Sequence, residues 1–211
     1  MKKIFILTLL SHVLCFGQVV QLNEVNYISV MDLSNKNVLY TKYTIVVEPT
    51  IVTTKRLPIT KNPQVGKLQQ SNRYDYAKSI TFDRGHLCPI IDFSFSVNAL
   101  KTVNYYTNIS PQNKTLNRGL WRALEKYIHD TAYSANDPVT VYTGVIYDWH
   151  KLKRIQIPTH WYKLVYYGNN IKAYLVPNTN VTQNGFYNFE VSPQILVDII
   201  NSYGLEKIVL N

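Results

Sequence analysis

The chain has 211 residues, of which 46% are hydrophobic and 17% are charged. This composition excludes an intrinsically disordered protein, and the length allows one well-filled core but not two ordinary domains. The formal net charge of +9 favours polyanionic partners, although a basic charge alone does not distinguish an enzyme from a binding protein.

The N-terminal segment has the pattern of a signal peptide. A charged start precedes a mostly apolar run over residues 4–14, and small residues then offer a cleavage site before Gln18. The apolar run is too short for a permanent membrane anchor, so we expect no stable membrane insertion. We therefore predict a signal peptide over residues 1–17 and an exported domain over residues 18–211, in the periplasm or outside the cell.

Removal of that segment would leave Cys88 as the only cysteine of the mature chain. An internal disulfide is then impossible, so stability has to come from the core. We predict that Cys88 is a buried small side chain and not a nucleophile, because no second histidine is placed to activate it.

Strands and a few helices follow one another along the chain. Alternating Tyr, Ile and Val residues favour strands, and prolines mark a loop that contains Lys55 and Arg56. The best helix covers residues 116–132, where Asn117 shares a face with the apolar residues Trp121, Leu124 and Ile128. The other predicted elements are strands at 19–30, 37–47, 139–146, 162–167 and 171–176, a strand or extended segment at 74–82, and helices at 93–100 and 193–203. This order predicts one α+β domain with a central antiparallel sheet flanked by helices.

The first chemically informative motif is Asp83-Arg84-Gly85-His86. Imidazole titrates near neutral pH, so His86 suits the removal of a proton from water. The planar guanidinium of Arg84 matches a phosphate, and Gly85 allows the backbone to approach a substrate closely. Phosphodiester hydrolysis needs such groups, whereas an isolated histidine is more often structural.

The second motif runs from Asn108 to Glu125 and supplies amide side chains just before the predicted helix. Zinc sites use three or four His, Cys or carboxylate ligands, and the sequence has no such cluster. Magnesium prefers hard oxygen ligands and keeps several waters, so a single amide oxygen, that of Asn117, suits it. Asn117 would bind the ion weakly without substrate, because the amide carries no charge.

In this order and spacing the two motifs resemble the DNA/RNA non-specific endonuclease family, the ββα-metal (His-Me finger) nucleases. The resemblance implies a magnesium-dependent hydrolase acting on DNA and RNA, with Mn²⁺ able to substitute. It implies that His86 is the general base, that Asn117 is the direct metal ligand and that Arg84 contacts the phosphate. A second phosphate-binding arginine is also implied, for which Arg56 is the nearest candidate, with Lys55 and Arg73 as alternatives.

Three further residues match the family pattern with roles left open. Asp83 orients its loop or the hydrated ion, or makes a purely structural hydrogen bond. Asn108 binds substrate or ties the following turn to the site. Glu125 lies eight residues after Asn117, about 12 Å along a straight helix, so we expect a contact through metal-bound water or a buried ion pair with an arginine. We group Asp83 and Glu125 with the catalytic residues. The chain departs from the pattern at Cys88, Ile90 and His129.

The leading hypothesis is therefore a secreted, magnesium-dependent endonuclease with little sequence specificity, in which water activated by His86 attacks the phosphate directly. The alternative is a catalytically silent, basic nucleic-acid-binding or surface protein on the same scaffold. A phosphodiesterase for small nucleotides or phospholipids is a third possibility. The presence of His86, Arg84 and Asn117 together favours the enzyme. No oligomeric state is predicted.

Overall fold

An antiparallel sheet is the centre of the fold. The computed structural model describes residues 18–47, 57–135, 137–181 and 185–202, apart from the side chains of residues 148 and 149. The strands of the main sheet are β1 (Val19–Asn23), β2 (Tyr27–Asp32), β3 (Asn37–Ile45), β6 (Val139–Leu152), β7 (Ile155–Tyr167), β8 (Asn170–Pro177) and β9 (Glu190–Val191). In the described part of the chain these seven strands lie in the order β1-β2-β3-β6-β7-β8-β9, and each neighbouring pair is antiparallel.

A separate two-stranded ribbon leads into the longest helix. Its strands are β4 (Phe82–His86) and β5 (Ile109–Asn113), and the helix follows as α2 (Lys114–Leu116), a π turn (Asn117–Trp121) and α3 (Arg122–Ala135). The other helices are α1 (Val97–Val103) and α4 (Pro193–Ser202). None of the helices formed by the described residues is long and apolar enough to cross a membrane.

The predicted α+β class and the central antiparallel sheet are confirmed, and the differences lie in single elements. The predicted strand 19–30 is a hairpin, because the chain turns at residues 24–26 and the Glu24 amide donates to the Tyr27 carbonyl. The predicted strand or extended segment at 74–82 is wrong at its start, since residues 73–75 form a 3₁₀ turn capped by Asn72, and the strand begins only at Phe82. The sequence did not predict β5, whose residues Ile-Ser-Pro-Gln-Asn lack the usual alternation and are buried throughout.

The main sheet buries side chains on both faces, and β7 shows why. Trp161 and Val165 pack into the large core under α3, whereas Tyr162 and Leu164 pack on the opposite face against α4. Successive side chains of a strand point to opposite faces, so apolar residues of β7 are buried at both odd and even positions. The charged exception is Lys163, which is fully buried on the α3 side.

Asn178, just after β8, fastens the ribbon to the main sheet. Its Oδ1 accepts a hydrogen bond from the Asn113 amide at 2.7 Å. Its Nδ2 donates to the Pro111 and Pro158 carbonyls at 3.1 and 2.9 Å. Asn113 in turn caps α2, because its side chain accepts from the amides of Thr115 and Leu116. The ribbon and the start of the helix are therefore held as one unit.

Candidate active site

His86 ends β4 and is half-buried. Its Nε2 lies 3.1 Å from Asn104 Oδ1, and Asn104 Nδ2 donates to the Leu100 carbonyl at 2.8 Å. The second bond fixes which end of the amide faces the ring, so His86 Nε2–H is the donor and Asn104 Oδ1 the acceptor. In the neutral ring, Nδ1 then carries the lone pair that takes up a proton.

Asn104 is a residue that the sequence did not single out. It is fully buried at the C-terminal end of α1, where its amide both caps that helix and orients His86. The available signal was an asparagine just beyond the predicted helix 93–100, which is too common a pattern to indicate a site.

Asn117 opens the π turn and points towards β4. Its Nδ2 donates to Asp83 Oδ2 at 3.1 Å. Asp83 also accepts two hydrogen bonds from Arg118, with Nε at 2.8 Å and Nη2 at 2.9 Å. Because the amide nitrogen of Asn117 is engaged by Asp83, the amide oxygen is the atom presented to other ligands.

The electrostatics of Asp83 suit an organising role. Partial burial would raise the pKa of Asp83, but the hydrogen bonds from Arg118 and Asn117 outweigh it and the pKa is lowered. The carboxylate is therefore ionised at neutral pH and is occupied by the two neighbouring residues. Asp83 thus makes structural hydrogen bonds that hold Asn117 and Arg118, and its expected role towards the hydrated ion stays a prediction.

A cleft of about 460 Å³ brings the candidate residues together. Its wall includes His86 from β4, Asn117 from the π turn and Glu125 from α3. Arg118, Arg122 and Lys126 add positive charge along the helix side. The two motifs, more than twenty residues apart in sequence, thus face one cavity.

The positive charge that acts on Glu125 belongs to the buried Lys163 and not to an arginine. Burial raises the pKa of Glu125, while the charge of Lys163 opposes this rise and Asp92 reinforces it. Lys163 lies over the Trp121 ring, 5.0 Å from its centroid, and donates to Thr143 Oγ1 at 2.8 Å. The cation that acts on Glu125 is therefore a lysine of β7 in place of the expected arginine, and the alternative expectation, a contact through metal-bound water, stays a prediction.

Arg84 and Gly85 occupy different surroundings from those predicted. Arg84 is exposed and lines a neighbouring groove, not the cleft that contains His86. Gly85 is buried, and a Cβ at this position would lie 2.6 Å from Gln112 Cβ and 2.9 Å from Trp161 Cη2. Gly85 therefore permits close packing of the ribbon on β7 and not, as predicted, the approach of substrate.

Asn108 lies beneath the site. Its Oδ1 accepts from the Cys88 amide at 2.8 Å, and its Nδ2 donates to the carbonyls of Cys88 at 3.1 Å and Val103 at 2.8 Å. It is fully buried, so the predicted substrate contact is not available to it and its role is to tie the segment after His86 to α1. Arg56, the other predicted substrate residue, lies outside the described residues, as does the segment 1–17.

Of the departures from the family pattern, Ile90 lines the cleft, whereas Cys88 and His129 are structural. Cys88 is fully buried, and this burial raises the pKa of its thiol, consistent with the predicted inert side chain. His129 Nδ1 lies 2.8 Å from Asp92 Oδ1, so its ring is bound to a buried carboxylate. Neither residue lines the cleft.

The family model of DNA/RNA non-specific endonucleases matches residues 11–203. The chain belongs to this family. The resemblance drawn from the two motifs is therefore confirmed. The ββα unit of that family corresponds here to β4, β5 and the helix that begins at Lys114.

Relatives and a solved structure agree with this membership. The chain is 29% identical over 160 residues to the mitochondrial nuclease EXOG of Danio rerio, which covers 65% of this chain and 46% of that protein. It is 27% identical over 141 residues to the mitochondrial endonuclease G of Bos taurus, covering 58% and 47%. The chain spans about half the length of these relatives. A structure described as the EndoG/EndoGI complex shares the fold, with a TM-score of 0.76 and 20% identity over 89% of this chain and 84% of that chain.

These relatives correct one prediction. Both named nucleases are mitochondrial, so the predicted periplasmic or extracellular location of this family member is wrong. The prediction used only the charge and hydrophobicity of residues 1–17. A short basic start followed by apolar residues does not by itself identify the compartment.

The cleft of this family member fits a divalent cation held largely by water and substrate. Among the described residues, no group of three His, Cys, Asp or Glu side chains is arranged to hold a metal. Asn117 nevertheless presents an amide oxygen to the cleft, with its nitrogen fixed by Asp83. A hard-oxygen ligand of this kind suits Mg²⁺, which commonly binds through few protein groups.

Proposed function

We propose that this family member is an endonuclease that hydrolyses phosphodiester bonds of DNA and RNA with little sequence specificity, and that it depends on Mg²⁺, with Mn²⁺ able to substitute. The observation that carries the proposal is the shared cleft of His86, Asn117 and Glu125, in which His86 has a fixed tautomer. A general base and a hard-oxygen ligand on one cavity are what metal-assisted hydrolysis of a phosphodiester requires.

His86 would act on the attacking water. With Nε2–H donated to Asn104, Nδ1 is the nitrogen that accepts the proton of the water. The oxygen of that water then bonds to phosphorus while the bond from phosphorus to the leaving oxygen breaks. The leaving oxygen takes up a proton from solvent water, His86 returns its proton to solvent, and no covalent enzyme intermediate forms.

Asn117 would hold the cation through its amide oxygen, and Asp83 would keep that amide in place. A bound divalent cation supplies positive charge close to the phosphate and the leaving oxygen. Glu125 would contact the ion through water, since it lies further along the helix than Asn117. Arg84 would bind a phosphate from the adjacent groove, where its exposed guanidinium has room for two parallel hydrogen bonds. Contacts to phosphates do not read base sequence, which accounts for the low specificity.

A plasmid-nicking assay tests the proposal. We expect nicking of supercoiled DNA and degradation of RNA with Mg²⁺, and loss of both with a chelator. His86→Ala should reduce turnover by about two to four decades, the usual contribution of a positioned general base. The matched control is His160→Ala, a half-buried histidine of β7 that lines neither groove.

Two outcomes would contradict the proposal. A wild-type chain that binds nucleic acid but does not cleave it with any divalent cation would favour the silent binding protein. A His86→Ala variant that keeps the activity of the His160→Ala control would require a different base.

A further inference from the structure

A second groove adjoins β4, which contributes Arg84 to its lining as it contributes His86 to the cleft. It has a volume of about 1020 Å³, and its lining includes four cationic side chains: Lys61, Arg73, Arg84 and Arg154. The described residues that line it include no carboxylate. Such a concentration of positive charge in a concave surface attracts a polyanion.

The wall of this groove is fastened before any ligand arrives. Arg154, in the turn between β6 and β7, donates from Nε to Asp75 Oδ1 at 3.0 Å, and Asp75 is 1% exposed. Lys153 in the same turn donates to the Tyr74 carbonyl at 2.6 Å. The hairpin tip and the 3₁₀ turn Arg73–Asp75 therefore form one preorganised wall. The Arg154 side chain remains 57% exposed beside it.

Tyr74 places an aromatic ring in the same wall. Its side chain is 60% exposed, although burying an aromatic ring would lower the free energy of the folded chain. The Arg73 guanidinium lies 4.6 Å from the ring centroid, and Arg73 Nη2 donates to the Tyr74 hydroxyl at 2.6 Å. An exposed ring supported by a guanidinium is a stacking platform for a flat, electron-rich group such as a nucleobase.

Arg84 connects this groove with the cleft. It precedes His86 by two residues on β4, so the two side chains lie on the same face of the strand, about 7 Å apart at the backbone. This separation is close to that of neighbouring phosphates along an extended nucleic-acid strand. A strand with its reacting phosphate at His86 can therefore continue past Arg84 towards Tyr74.

We propose that this groove binds an unpaired stretch of the nucleic-acid strand next to the reacting phosphate, with Tyr74 stacked on one base and Arg73 paired with a phosphate. Stacking on Tyr74 needs an exposed base face, which a paired and stacked duplex does not offer. The groove therefore gives the protein a preference for single-stranded over duplex substrate. This inference rests on the proposed nuclease function and deepens it.

Binding measurements separate the two parts of the proposal. Fluorescence anisotropy is measured with the His86→Ala chain, in chelator, on a labelled single-stranded oligonucleotide and on its duplex. Adding Tyr74→Ala should weaken single-strand binding about tenfold, within the range that stacking one base contributes, and leave duplex binding unchanged. Tyr74→Phe keeps the aromatic ring and should bind the single strand as tightly as the chain with Tyr74. The control is Tyr187→Ala, which removes a tyrosine that is 57% exposed and lines neither groove.

The charge contribution is read from salt dependence. Arg73→Ala should reduce the magnitude of the slope of the logarithm of the binding constant against the logarithm of the salt concentration by about 1, which corresponds to one phosphate contact. Arg73→Lys should keep the slope of the wild type. Lys172→Ala, which removes a cation paired with Glu190 on β9, should leave the slope unchanged.

Tyr74→Ala with unaltered single-strand binding, or with equal losses for single strand and duplex, would overturn the stacking site. An unchanged salt slope in Arg73→Ala would overturn the phosphate contact. These failures are distinct from failure of the proposed function, which is a wild-type chain that cleaves nothing. If the wild-type chain nicks plasmid but Tyr74→Ala does not change single-strand binding, the proposed function stands and the proposed single-strand site is rejected.

Discussion

Replacing Gly85 by alanine tests whether the ribbon carrying His86 is packed as tightly as its geometry indicates. A Cβ at Gly85 would lie 2.4 Å from Gln112 Oε1, 2.6 Å from Gln112 Cβ and 2.9 Å from Trp161 Cη2. The amide end of Gln112 could rotate away. Its Cβ cannot, because β5 is held by the hydrogen bonds between Asn178 and the backbone of Pro111 and Asn113. The new methyl group must therefore displace β4 from β5 or from Trp161.

The expected cost is that of overpacking a well-filled core, about 1–3 kcal/mol. For a domain of this size, that corresponds to a fall in Tm of about 2–12 °C. Gly85 has no positive φ angle, so the loss comes from the methyl group and not from backbone strain. Because His86 is the next residue, we also expect a fall in turnover greater than the fraction of unfolded protein explains.

Gly119→Ala is the matched control. Gly119 lies in the π turn, and a Cβ there has no atom within 4 Å. Alanine is favoured over glycine in a helix by about 1 kcal/mol, so this variant should melt at the same temperature or higher. Calorimetric melts of both variants decide the matter. If Gly85→Ala melted like Gly119→Ala and kept full activity, the ribbon would be looser than these distances imply.

Three other substitutions test the organisation of the cleft. Asn104→Ala should lower turnover about 10–100-fold without a comparable loss of binding, whereas Asn104→Asp, which keeps an acceptor and adds charge, should move the acidic limb of the pH–rate profile to higher pH; an unshifted profile would contradict the contact with His86. Asn117→Ala should remove most activity with little rescue by added Mg²⁺, and Asn117→Asp should raise Mg²⁺ affinity in calorimetry without substrate; full activity in the alanine variant would exclude Asn117 as the ligand. The pKa of Asp83 is lowered in the folded state, so its contribution to stability is present above its unfolded pKa of about 4 and is lost as the pH falls through the folded value. The Tm of Asp83→Asn should therefore depend less on pH below about 4 than the Tm of the wild type.

Motif spacing predicted the composition of the cleft better than it predicted the contacts of each residue. His86, Asn117 and Glu125 do line one cavity. The sequence could not place Asn104 beside His86, because that contact depends on how α1 packs against the ribbon. The sequence also could not indicate that Lys163 acts on Glu125. Lys163 lies among apolar neighbours on β7, and this pattern is typical of a half-exposed strand in which the lysine points to solvent.

The predicted strands succeeded where alternation was strong and failed where polar residues were buried. Segments rich in Tyr, Ile and Val appear as β3, β6, β7 and β8, although β6 continues to Leu152 and β7 already begins at Ile155, well outside the predicted bounds. The strand β5 was missed because Ser110, Gln112 and Asn113 look like loop residues, yet all three are buried. Tertiary contacts, here those of Asn178 and Tyr147, stabilise this polar strand and leave no local signal.

The π turn explains why Asn117 and Glu125 face the same cleft. In an uninterrupted α-helix, residues eight apart are rotated by about 80° around the axis, and Asn117 would share the apolar face of Leu124 and Ile128. The wide turn over Asn117–Trp121 takes in about one extra residue, which brings Asn117 to within about 20° of Glu125 and turns it away from that face. The exposures agree, since Leu124 and Ile128 are buried while Asn117 lies at the cleft.

The two residues nevertheless remain about 10 Å apart along the axis, because the wide turn takes up only about one of the eight rises of about 1.5 Å. One ion cannot be bound directly by both side chains. We therefore expect Glu125 to act through water in a cleft where Asn117 is the direct ligand, and the π turn is the local distortion that makes this division possible.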